Sequence, residues 1–266
     1  MTPSMRALLT AEWRKVTTTK MLWVLGLIAV GYSAMQTVML TLIASGKLPG
    51  VPAQGELLLD PDYITTLLSQ AGTAATFALI LGIIAMTGEF RHMTITSTFL
   101  AAPRRSRVLV AKMLLYGLLG AALAVITMTV VLIAAVASLA PFEHAPITVS
   151  VFTTVLAGAV IGMTLYAILG VSIGSVITNQ VAAIVTALLW VLLVEALVGL
   201  AFPSVARWLP RGALNSAMNV GLTTDVTGGM TQADNLPAWG GVLVLLAYAV
   251  VFAALASRTT LRRDIT

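Results

Sequence analysis

The sequence predicts an all-α, polytopic membrane protein, and three observations carry that prediction. Of 266 residues, 59% are hydrophobic and only 9% are charged, against roughly a quarter charged in an ordinary soluble domain. Six stretches are long and apolar enough to cross a hydrocarbon layer about 30 Å thick, which takes about 20 residues of helix. Lys and Arg are unevenly shared between the segments that link those stretches. A soluble enzyme or nucleic-acid binder would leave too much apolar surface in water, so the net charge of +5 points to anionic head groups or an acidic partner instead. With no Cys and only two His, disulfides and a usual zinc site are excluded.

The six spans fall at about 21–44, 66–87, 112–139, 148–176, 181–202 and 238–257. The first has an apolar core longer than a signal peptide's, so it reads as a retained span. If the N-terminus is cytoplasmic, 12 of the 15 basic residues lie inside: Arg6, Arg14, Lys15, Lys20, Arg91, Arg104, Arg105, Arg107, Lys112, Arg258, Arg262 and Arg263. Only Lys47, Arg207 and Arg211 lie outside. Positive residues favour the inside, so the expected topology has both termini in the cytoplasm, in the cell membrane. Short links at 140–147 and 177–180 make spans three, four and five expected antiparallel neighbours. The chain reads as one transmembrane domain over 1–266, without an internal repeat.

Residues 4–19 read SMRALLTAEWRKVTTT. Met5, Leu8, Leu9, Trp13 and Val16 recur at helical spacing, with Glu12 among them, which predicts an amphipathic helix lying in the interface. The alternative is a basic anchor that only sets topology. The next segment, 88–111, is too polar for a span. It carries Glu89, Arg91 and His92, a Thr-rich stretch with Ile95, Phe99 and Leu100, then Pro103 and the basic run Arg104, Arg105, Arg107. Pro103 is expected to close a short helix. A small apolar contact surface flanked by charges suits docking to another protein.

The run Gly88-Glu89, a Thr-rich stretch, Pro103, basic-Ser-Arg and then Ala111-Lys112 opening a span resembles the permease subunits of type-2 ATP-binding-cassette exporters. Glu12-Trp13-Arg14-Lys15 before the first span is similar to their amphipathic connecting helix. The resemblance implies a path for a hydrophobic or amphipathic substrate: drug, peptide, lipid or antibiotic. It also implies a second permease copy, identical or related, and a separate ATPase subunit that holds ATP and Mg. Residues 92–103 would be the coupling helix, with Glu89, Arg91, His92, Ile95, Phe99, Leu100 and Arg104 in or beside the contact. The chain itself has no GxxxxGK[ST] phosphate loop, so it is expected to be no enzyme and to bind no cofactor or metal. The bilayer is its other partner, and no nucleic acid is expected. The family also implies re-entrant helices in the 203–237 loop, for which Pro210–Leu222 is the candidate.

Other features compete with that reading. Gly170-Val171-Ser172-Ile173-Gly174 matches a nucleophile-elbow pattern, but it lies inside an apolar span rather than at a strand–helix turn. Gly158/Gly162 and Gly170/Gly174 read better as small-residue pairs that let helices approach closely. Gln36, Thr37 and Thr41 either line a path or bond to a neighbouring helix. Glu195 is the one acid inside a span, and an intramembrane carboxylate is costly enough to suggest function. It would be the coupling or selectivity residue if the chain were instead an ATP-independent transporter or channel. Its other reading places it near the outer end of span five, reaching head groups or Arg207.

Overall fold

The computed structural model describes residues 4–48, 54–101, 104–220, 222–224, 230–232 and 235–258. Its helices are α1 (Met5–Thr17), α2 (Lys20–Ala44), α3 (Pro61–Ser69), α4 (Ala75–Arg91), α5 (Ile95–Ala101), α6 (Arg105–Leu139), α7 (Val149–Val176), α8 (Gln180–Leu188), α9 (Glu195–Ala201), α10 (Pro203–Ala206), α11 (Pro210–Ala217) and α12 (Ala238–Arg258). A 3-10 turn at Gln70–Ala74 joins α3 to α4, and a π-helical turn at Leu189–Val194 joins α8 to α9. One antiparallel ribbon, β1 (Leu222–Thr224) with β2 (Met230–Gln232), sits in the last loop.

Six helical stretches are long and apolar enough to span a membrane: Lys20–Ala44, Pro61–Arg91, Arg105–Leu139, Val149–Val176, Gln180–Ala201 and Ala238–Arg258. The protein is therefore an all-α, multi-pass membrane protein, as its composition predicts. The second stretch begins five residues earlier than hydropathy suggests, because α3 mixes Thr65, Thr66 and Ser69 into its buried run. Each of those three side chains donates to a backbone carbonyl three or four residues earlier in its own helix. That satisfies the hydroxyls locally and lets a polar segment pack inside.

Helix α7 is the hub, packed against α4, α6, α11 and α12. It runs parallel to α4 and antiparallel to α6, as the order of close approaches shows. Gly170 faces the Leu79 carbonyl and Gly174 faces Ile83, while Gly120 of α6 meets Met163 and Ala167. A methyl at Gly82 or Gly170 would collide with backbone across the α4–α7 contact. On the α11 side, Gly158 meets the Ala217 backbone, and Gly162 makes room for the Leu214 side chain. The small-residue pairs thus act as the sequence suggests, by letting backbones touch.

The fifth span departs from expectation. Its link to α7 is only three residues (177–179), yet α8 packs mainly on α4, with little contact to α7 beyond the turn. A short link fixes adjacency at one end only, and α7's faces are already taken. Most of span five's large apolar side chains, from Val181 to Leu200, stay exposed toward lipid.

Three helix ends close with the same hydrogen-bond pair. After α2, Lys47 N–H donates to the Leu42 carbonyl and Gly46 N–H to Ile43; after α4, Thr94 donates to Glu89 and Met93 to Phe90; after α11, Val220 donates to Asn215 and Asn219 to Ser216. The turning residues Gly46, Met93 and Asn219 have φ of 67°, 55° and 55°. Gly and Asn suit that left-handed position; Met93 does not, so this turn is held against a steric cost.

A testable contrast follows from the hub. Gly170→Val should separate α4 from α7 and cost about 1–3 kcal/mol or more, read as a lower thermal midpoint in detergent. Gly88→Ala, where the added methyl meets nothing within 4 Å, should leave the midpoint unchanged or slightly raised.

Candidate functional site: a buried charge cluster joining three helices

Helix α1 is amphipathic, and one of its faces packs against the bundle. Met5, Leu8 and Leu9 are half-buried and Val16 is buried, while Trp13 is 48% exposed. Glu12 takes the inward place between them, at 4% exposure. Residues 5, 8, 12 and 16 share one face at helical spacing, so the inward stripe of α1 contains a carboxylate. Ser4 caps the helix by accepting from Ala7 N–H at 3.3 Å, and Arg14 and Lys15 sit in the last turn, where the helix dipole favours cations.

The buried carboxylate meets two partners from distant parts of the chain. Lys112, near the start of α6, has a side chain only 1% exposed. Its ammonium donates to Glu12 Oε2 at 2.6 Å, to Glu89 Oε1 at 2.7 Å and to the Ala85 carbonyl at 3.2 Å. An ammonium has three donors, so all of Lys112's hydrogen-bonding capacity is used. Lys15 closes the ring, with its Nζ 2.8 Å from Glu12 Oε1 and 2.6 Å from Glu89 Oε1. Two carboxylates and two ammoniums make the cluster neutral in sum. Burying these ions separately would cost several kcal/mol each, which only this mutual pairing offsets. Glu89 Oε2 is buried without a hydrogen-bond partner.

Lys15 is the rim of the cluster, with 45% of its side chain exposed. Burial works to lower its pKa, but the hydrogen bonds and charges of Glu12 and Glu89 outweigh it and raise the pKa above the ordinary lysine value. A folded-state pKa above the unfolded one adds stability at every pH below the unfolded value. That contribution is lost only as pH rises through the folded value, so Lys15 supports the cluster at neutral pH and releases it in alkali.

The cluster fixes where the following segment leaves the bundle. Glu89 uses its side chain for the two lysines and its backbone carbonyl for Thr94 N–H, at 3.0 Å. Met93 turns the chain, and Ile95 anchors α5 at 2% exposure. Met93 and Leu100 then stand out at 83% and 79% exposure. Of the residues expected at a docking contact, Arg91, His92, Leu100 and Arg104 are exposed, whereas Glu89 and Ile95 face inward. Arg91 also bonds Gln180 across to α8 at 3.3 Å. The side chain of Phe99 and residues 102–103, including Pro103, lie outside the described residues.

The other sequence-marked residues lie elsewhere. Thr37 is fully buried and donates to the Ser33 carbonyl; Thr41 pairs with Ser138 of α6 at 3.1 Å, and Ser33 with Thr73 at 3.0 Å. This polar seam joins helices, while Gln36 is half-buried beside it. Ser172 is buried within α7 and donates to the Ile168 carbonyl, and His144 bonds the Ala145 carbonyl. Glu195 accepts from Arg211 N–H of α11 at 2.7 Å, which ties span five to that helix. Among the described residues no group of three metal-ligating side chains comes together.

Removing one partner of the cluster leaves buried charge uncompensated. Lys112→Ala should therefore destabilise the protein by about 3–5 kcal/mol, seen as a large drop in thermal midpoint. Lys15→Ala, at the solvent-facing rim, should cost about 1 kcal/mol or less. Equal effects would contradict the burial assigned to the two lysines.

No protein-family model matches this chain, and no curated protein matches it either; what the cluster does is argued from its own chemistry.

Proposed function

We propose that this chain is the membrane-spanning subunit of a type-2 ATP-binding-cassette exporter. Both termini would be cytoplasmic, and a separate ATPase subunit would dock on the segment between the second and third spans. The observation that carries this reading is the mounting of α5. A short helix with the exposed apolar side chains Met93 and Leu100 at its ends stands on a frame of α1, α4 and α6, which four buried or half-buried charges pin together. A rigid mount of this kind can pass a push from a partner into the spans as rigid-body motion. A loosely tethered loop would absorb the same push.

The charge distribution supports the orientation, since the end bearing α1, α5 and the start of α6 carries most of the basic residues. In this arrangement the ATPase supplies free energy from ATP and Mg, and two permease copies, identical or related, supply the path. The spans offer few polar groups and many lipid-facing apolar ones, which suits a hydrophobic or amphipathic substrate. The ATP-independent alternative depends on Glu195, whose carboxylate is engaged in holding α11.

The test is co-purification. The chain, tagged at its C-terminus and gently extracted, should bring down a stoichiometric subunit with a phosphate loop. Leu100→Asp, an exposed position that the fold tolerates, should cut that yield by about tenfold or more, because the contact would desolvate an unpaired carboxylate. A homo-oligomer with no ATPase, or an unchanged yield, would overturn the assignment.

A further inference from the structure

Helix α11 enters the bundle from the loop between spans five and six. Three contacts give its direction: Ala217 meets Gly158 of α7, Leu214 meets Gly162, and Ser216 and Ala217 meet Gly241 of α12. It therefore runs antiparallel to α7, with its N-terminus deepest, near the level of Tyr166. Tyr166 lies 17 residues into α7, roughly 25 Å from that helix's start. A helix N-terminus placed at such depth exposes amide donors that need an acceptor. Leu209, in the capping position, provides no side-chain hydrogen bond.

Glu195 supplies the acceptor from another part of the chain. Its Oε2 takes Arg211 N–H at 2.7 Å, in the first turn of α11. The residue is 5% exposed, and its second oxygen, Oε1, is buried with no hydrogen-bond partner. The Tyr166 hydroxyl is likewise buried without a partner. The titratable and charged groups in electrostatic reach are Tyr166 of α7, Arg211 of α11 and Tyr248 of α12, and the Trp190 indole N–H on its own span points a donor at the carboxylate. Arg207 lies in the turn before α11. Glu195 also follows directly on the π-helical turn Leu189–Val194, a distortion that recurs at functional sites and re-aims the residues after it.

We propose that Glu195 is a proton-binding site that latches α11 into the bundle: the ionised carboxylate holds the helix N-terminus, and protonation loosens that hold. An anion is favoured at a helix N-terminus, and a hydrogen bond to an ionised acceptor is roughly twice as strong as a neutral one. Adding a proton removes both advantages. Oε1 is the oxygen not used by the Arg211 amide, and it gives the proton a place to sit. α11 packs between α7 and α12 and also holds the end of the last loop, where Ser216 accepts from Leu236 N–H at 3.1 Å. Loosening α11 would open that end of the bundle to water. This latch is independent of whether an ATPase drives the chain.

The chain contains no Cys, so single reporters read cleanly. Ser216→Cys places a thiol at a fully buried site on α11, and Ser150→Cys gives an exposed reference at the start of α7. The full chain in lipid vesicles is treated with a water-soluble methanethiosulfonate reagent, and the ratio of the two labelling rates is followed with pH. The ratio should rise roughly fivefold on acidification from neutral pH, the factor expected when a charge-assisted hydrogen bond becomes an ordinary neutral one. In Glu195→Gln it should stay at the raised value at every pH. A ratio that does not change with pH, a pH dependence that survives Glu195→Gln, or a low fixed ratio in that variant would each overturn the proposal.

Discussion

The ammonium of Lys112 holds together the parts of this protein that hydropathy alone would leave apart. It sits at 1% exposure between carboxylates from residues 12 and 89 and a carbonyl from residue 85. A charge in that position is tolerated only while every donor is taken, so α1, α4 and α6 must meet in one register. Neither α1, which is short and half-polar, nor α5, which has seven residues, would be stable alone. Both are ordered by what they attach to, and the attachment runs through Glu12 and Glu89.

The rest of the bundle is arranged by a different means. Lipid gives helices no hydrophobic reason to associate, so close approach has to come from small residues and local polar pairs. Gly82, Gly120, Gly158, Gly170 and Gly174 bring backbones into contact around α7. Ser33, Thr41, Thr73 and Ser138 tie α2 to its neighbours. Where such residues are sparse, as along span five, the helix lies mostly in lipid and its position is set at its ends. Arg91 bonds Gln180 at one end and Glu195 holds α11 near the other.

Much of this was legible in the sequence. Runs of apolar residues mark all six spans, and two starts are displaced: the second by five residues, because the hydroxyls of α3 look like loop residues until they bond their own helix, and the third by seven, because α6 already begins in the basic run at Arg105. Glu12, Lys15, Glu89 and Lys112 each stand in segments that the sequence singles out, but their meeting did not show. They are 23 to 100 residues apart in their long-range pairs, and no periodicity links them. Glu12 reads as a polar residue within the stripe, and its inward place became clear only with the buried lysine that it meets. The adjacency of spans four and five failed for a related reason: link length limits where a helix starts, not which face it packs on. Glu195 was visible as a costly residue, while the amide it holds lies on a helix whose insertion only the fold reveals.

The central claim is that the four charges make α1 and the α4–α5 segment one mechanical unit. Hydrogen exchange on the full chain in a lipid bilayer, with Lys112→Gln compared against the unmodified protein, tests it most directly. The account predicts that protection falls together in α1 and in residues 92–101, while the α7 core keeps its own. Loss of protection in α1 alone, with residues 92–101 unchanged, would contradict it.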